Sequence, residues 1–98
     1  MDVYPVWEAL ADPHGGIAKV VEMTDIGGPA MLRGAAKNHQ NVIVICDPPD
    51  RQRVLDELQA HGDVSIEIRV QLAFTVFAFT SRYDEAIAHF YFARHGKR

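Results

Sequence analysis

An acid, a run of backbone donors and an amine occupy one short stretch of this chain: Asp25-Ile26-Gly27-Gly28-Pro29 and, further on, Lys37. Two glycines and a proline in succession mark a sharp turn, because Gly tolerates positive φ and Pro suits the first helical position. Pro29 therefore opens a helix to about Asn38, with Met31, Leu32, Ala35 and Ala36 on its inner side. The first N–H groups of such a helix have no intrahelical partner and can receive a carbonyl oxygen or an anion. A carboxylate, free donors and an ammonium on one short element can form a site for a ligand that carries a carbonyl or an anion. The same residues also describe a well-capped helix, since Asp is a natural N-cap and Lys near the C-terminus complements the dipole. From Gly28 to Lys37 a regular helix rises about 13 Å. Both ends meet one ligand only if that ligand is nucleotide-sized or the helix bends.

The elements that must position these residues are legible from pattern. Val3-Tyr4-Pro5-Val6 reads as a short strand, closed by a proline that cannot donate to a ladder. Asp12-Pro13-His14-Gly15-Gly16 is a loop by its breakers, and Ile17 to Met23 a short helix with Ile17, Val20 and Val21 at helical spacing. Val42 to Cys46 is a continuous β-branched run, the pattern of a strand buried on both faces. Asp47-Pro48-Pro49-Asp50 turns the chain into a helix with Val54, Leu55 and Leu58 inward and Gly62 as its stop. Ser65 caps the last and longest helix, about 66 to 92. Its polar stripe is narrow, carrying Gln71, Thr75, Arg82, Glu85 and His89. One apolar flank carries Ile66, Val70, Ala73, Val76, Phe77, Ile87 and Tyr91; a second carries Ile68, Leu72, Phe79, Tyr83 and Phe90. Arg69 and Asp84 fall toward the buried side, where charges need partners, which makes them structural and each other's partner through intervening groups.

Composition narrows the function classes. Ninety-eight residues suit one small core. A net charge of −3 argues against general nucleic-acid binding, which needs a basic face. Arg94-His95-Gly96-Lys97-Arg98 reads as a solvated basic tail. Cys46 stands alone, so no internal disulfide forms, and its apolar setting makes it a buried thiol. The five histidines lack metal-binding spacing, so no metal and no cofactor is expected. No leader and no membrane span are visible, which makes the expected location cytoplasmic.

The glycine-turn segment resembles the IMP cyclohydrolase domain of the bifunctional purine-biosynthesis enzymes, which also carry an AICAR transformylase domain. That family reads Asp-Ile-Gly-Gly, a few apolar residues, then Arg-Ala-Ala-Ala-Lys-Asn-His; here it stands intact except for Gly34. Val3-Tyr4-Pro5 resembles the family's Asn-Leu-Tyr-Pro-Phe, and Asn41-Val42-Ile43-Val44-Ile45-Cys46-Asp47-Pro48 its strand and following turn. Arg69, Leu72-Ala73, Phe77, Thr80 and Tyr83-Asp84-Glu85-Ala86-Ile87 resemble its long helix, with Thr75 and Phe79 where the family has lysine and histidine. Asp2 takes the place of an asparagine.

The resemblance implies an α/β fold: a truncated MGS-like, Rossmann-like domain over residues 1–92, helix-rich with a small parallel sheet, and a basic tail over 93–98. It implies catalytic roles for Tyr4, Asp25 and Lys37, with Ile26, Gly27 and Gly28 binding substrate through their backbone. The family domain is about twice as long. Its other half would carry the first strands, a serine-containing phosphate loop and a second lysine loop. Two readings stay open. One is an enzyme for dehydrative ring closure, or the reverse hydrolysis, of an amide, amidine or purine-precursor-like substrate. The other is a non-catalytic ligand-binding or interaction subunit. The expected partners are a small-molecule or nucleotide-like substrate and a second copy of the chain. A different chain supplying the missing half-domain is the alternative; neither nucleic acid nor membrane is expected.

Overall fold

The computed structural model describes residues 10–11 and 16–95. Within them the chain runs α1 (Gly16–Met23), α2 (Gly27–Lys37), α3 (Pro49–His61) and α4 (Ile66–His95). Local signals set most of these boundaries. Pro49 opens α3, and Gly62 closes it in the left-handed conformation (φ 75°), where its N–H donates to the Leu58 carbonyl at 2.9 Å. Ser65 begins α4 by accepting the Ile68 N–H at its hydroxyl, 3.3 Å, and the Arg69 N–H at its carbonyl, 3.0 Å. The helix then continues unbroken to His95, past the end expected at residue 92 and into the basic tail. There Arg94 sits over the Phe90 ring at 4.6 Å.

The 30 residues of α4 span about 45 Å and serve as the spine. Its first half shares a core with α2, α3 and the segment between them: Leu32, Ala36, Val44, Val54, Val64, Leu72, Ala73 and Val76. Its second half shares a separate core with α1, in which Val20, Tyr83 and Phe90 are surrounded by Leu10, Ile17, Met23, Phe79 and Ile87. The buried side of α4 draws on both apolar flanks, Leu72, Tyr83 and Phe90 from one and Ala73 and Val76 from the other, whereas Ile66, Val70, Phe77 and Tyr91 remain exposed. Phe79 packs inside the chain against Tyr83, ring centroids 6.0 Å apart.

The described residues do not form the expected parallel sheet. Among the described residues no strand occurs, and this part of the fold is helical rather than α/β. Residues 42–46 form an irregular segment whose Val44 is buried, with Ile43, Ile45 and Cys46 packed around the same core. A short β-branched run reports burial, and here the burial is against helices instead of in a ladder. The strand expected at Val3–Val6 lies outside the described residues. Arg69 also finds a different partner from the one its side suggested. It donates to Asp63 Oδ1 at 2.8 Å and to the Val64 carbonyl at 3.0 Å, while Asp84 is exposed.

Gly34 lies inside α2 with helical backbone, and a Cβ built on it meets nothing within 4 Å. Glycine in a helix interior costs about 0.5–1 kcal/mol relative to alanine. Gly34→Ala is therefore expected to raise the unfolding free energy by about that amount, read from the denaturant midpoint at unchanged slope.

Candidate functional site

The turn before α2 is held from two directions. From below, α1 closes onto it: the Thr24 hydroxyl donates to the Val20 carbonyl at 2.7 Å. From the side, the Asp25 N–H donates to the Tyr83 hydroxyl at 2.8 Å, across 58 residues of sequence. Tyr83 is 1 % exposed. Burial pushes its phenol up from the usual range, and the charges of Asp25 and Asp84 add to this against the opposing Asp25 hydrogen bond. The phenol is thus neutral and fixed at ordinary pH.

Asp25 Oδ1 in turn accepts the Gly28 N–H at 2.8 Å. Ile26 already has helical angles (φ −95°, ψ −42°), and its carbonyl accepts the Ala30 N–H at 3.2 Å. Asp25 is therefore the physical cap of α2, one residue outside Ile26. The carboxylate lies so close to Gly28 that a Cβ there would stand 2.6 Å from Oδ2. Gly28 is glycine because the cap occupies its side-chain space. Its N–H, one of the expected substrate donors, is engaged by Asp25. Gly27 and Ile26 are exposed on the outer side of the turn, with Ile26 75 % exposed.

Lys37 ends α2 and faces solvent. Asp25 and Lys37 line different cavities. The smaller one, about 210 Å³, lies at the turn between Thr24, Asp25, Ile26, Pro29 and the α4 residues Tyr83 and Asp84. The larger one, about 650 Å³, is an open groove between α2 and α4. Lys37, His39 and Gly34 stand on one wall of it; Val70, Ala73, Phe74 and Phe77 stand on the other. Ala30 and Arg33 line both. The His39 ring bonds the Ala36 carbonyl through Nδ1 at 2.9 Å. A carbonyl only accepts, so Nδ1 carries the hydrogen and Nε2 is the acceptor in the neutral ring. Tyr4 lies outside the described residues, so the structure brings Asp25 and Ile26 together and sets Lys37 apart at the far end of one helix face.

Pattern reading missed three contributors. Tyr83 stood on an apolar flank, and only the tertiary contact shows its hydroxyl on Asp25. Arg33 follows Ala30 by three residues and precedes Lys37 by four, so helical spacing alone puts it on their face. Phe74, 71 % exposed, gives the groove an aromatic wall. Cys46 takes no part: burial, then the Asp47 and Asp50 charges, push its thiol up, away from the reactive thiolate. Among the described residues no group of three or more His, Cys, Asp or Glu could hold a metal ion. Nor is any described helix long and apolar enough to cross a membrane.

The AICARFT/IMPCHase bienzyme family matches residues 35–97, and the chain belongs to that family. The bifunctional purine biosynthesis protein PurH of Streptococcus mutans is 46 % identical over 97 residues, which are 99 % of this chain and 19 % of that protein. The PurH proteins of Streptococcus pneumoniae and Streptococcus gordonii are 47 % and 46 % identical over the same length and coverage. The chain thus spans about a fifth of the length of these relatives, 19 % in each.

The contact between Asp25 and Gly28 makes the two positions interdependent. Asp25→Ala removes a cap, at about 1 kcal/mol. Gly28→Ala displaces the carboxylate and is expected to destabilise the parent, yet to be neutral or stabilising in the Asp25→Ala background. A double-mutant cycle from denaturant melts should give a coupling of about 1 kcal/mol; additive effects would mean that the carboxylate is not seated there.

Proposed function

We propose that this chain contributes the Asp25 turn and Lys37 to a cyclohydrolase site of the purine-biosynthesis type. It does so as a homo-oligomer or with a chain supplying the other half of the domain. In that ring closure a carboxamide nitrogen attacks a formyl carbon. The carboxamide nitrogen gives up one proton and the formamido nitrogen the other, so the formyl oxygen leaves as water and a C=N bond completes the ring. Asp25 orients the amide and takes its proton, since one carboxylate oxygen is tied to Gly28 and the other remains for substrate. The Ile26 and Gly27 N–H groups lie at the helix start, where a developing oxyanion is stabilised. Lys37 binds a carbonyl or anionic group at the substrate's far end. Tyr4 donates to the departing oxygen. The observation that carries the reading is the doubly tethered carboxylate, fixed by Tyr83 through the backbone and by Gly28 through Oδ1. Preorganisation of this kind distinguishes a working acid–base group from a mobile surface acid.

The second reading is a binding or interaction subunit without catalysis. What favours it is the Gly28 N–H, which already donates to Asp25 and not to open solvent.

Ultraviolet monitoring of ring closure separates the two. The chain alone is expected to turn over the formylated precursor far more slowly than a complete family domain. Adding the separately prepared remainder of that domain should restore activity, with Asp25→Asn and Lys37→Met each lowering it by about 100-fold or more. A mixture that associates but stays inactive would establish the interaction subunit instead.

A further inference from the structure

We infer that Arg33 is a ligand-contacting residue, reading the anionic part of a ligand that runs along α2 from the Asp25 turn to Lys37. The inference rests on the proposed function only in sharing that helix face, and its test needs no turnover. Asp25 and Lys37 open onto different cavities, and Arg33 with Ala30 is what the two cavities have in common. Ala30, Arg33, Gly34 and Lys37 recur at intervals of three and four, so they form one continuous wall along the helix. Ala30 and Gly34 are small and leave the wall open; a Cβ at Gly34 would meet nothing. Only Arg33 projects a functional group between the two ends.

The charges along this wall are graded. At the turn the cavity holds two carboxylates, Asp25 and Asp84. At the groove end the ionisable lining groups are Arg33, Lys37 and His39, with no carboxylate among the lining residues. Among the described residues no carboxylate lies within ion-pair distance of Arg33. Two cations one turn apart on a helix repel each other weakly, so Arg33 beside Lys37 gains little as a structural pair. A guanidinium accepts nothing and presents five donors in a planar fork, which suits a phosphate or carboxylate. Across the groove the exposed Phe74 and Phe77 offer a surface for a ring. The matching ligand is elongated: N–H donors at one end for Asp25 and Asp84, an aromatic ring, and an anionic group for Arg33 and Lys37. A volume of about 650 Å³ is in the range of small-molecule sites. The competing role for Arg33 is a loose counter-charge to Asp25 and Asp84.

Amide-resolved NMR titration of the full chain with 1-naphthyl phosphate, against 1-naphthol as the uncharged control, tests this. The phosphate should shift amides of Ala30–His39 and Val70–Phe77 and bind more tightly than naphthol by about tenfold. Arg33→Met should weaken phosphate binding about tenfold, Arg33→Lys less, and neither should alter the melting temperature, because the side chain is exposed. Phe74→Ser should weaken both probes. Equal binding of the two probes, shifts elsewhere, or Arg33→Met binding within about twofold of the parent would overturn the inference. So would a melting temperature that falls with Arg33→Met, the mark of a counter-charge to Asp25 and Asp84. Because naphthyl phosphate is not turned over, these outcomes are independent of whether ring closure occurs.

Discussion

One buried face of α4 holds the described structure together. Leu72 and Val76 belong to one core and Tyr83 and Phe90 to the other, and among the described helices only α4 contributes to both. Burying such side chains is worth about 1.5–3 kcal/mol apiece, and this is what holds α1 and α2 in place. α2 and α4 make the more extensive contact, and α1 reaches the remainder of the structure chiefly through α4. The result is elongated, 51 × 25 × 17 Å. A shape like that exposes more surface for its volume than a compact domain does.

The spine also determines the site. Tyr83 is both a core residue and the acceptor for the Asp25 N–H, so the packing of α4 fixes the turn that α2 grows from. Asp25 then fixes α2 by capping it at Gly28. The chain of causes runs from apolar burial, through one hydroxyl, to the position of a carboxylate. A site built this way loses precision when the core loosens, even with every polar residue intact. The exposed side of α4, with Phe74 and Phe77, faces Arg33 and Lys37 of α2 across the groove.

Local rules carried much of this in the sequence. The Gly62 stop, the Pro49 start and the Ser65 cap depend on neighbouring residues alone, and α1 and α3 lie where those rules put them, whereas α2 begins at Gly27, two residues before Pro29, with neither Gly27 nor Gly28 at positive φ. The Asp25 cap was equally legible as one of two meanings of the same residue. Tertiary features were not legible. The run Val42–Cys46 carries the composition of a strand, but whether an apolar run pairs in a ladder or lies against helices is decided by distant residues. Arg69 was placed on the buried side correctly, yet its partner proved to be Asp63, six residues back, and not Asp84. Tyr83 looked like one more apolar position, since nothing in spacing tells where a hydroxyl ends.

The link between spine and site is measured most directly at one proton, the amide of Asp25. Hydrogen exchange on the full chain is expected to show it protected to a degree comparable with the buried part of α4. Tyr83→Phe should release it while the amides of α2 beyond Ala30 stay protected. An Asp25 amide that exchanges as freely in the parent as in Tyr83→Phe would contradict the account, because the carboxylate would then owe its position to α2 alone.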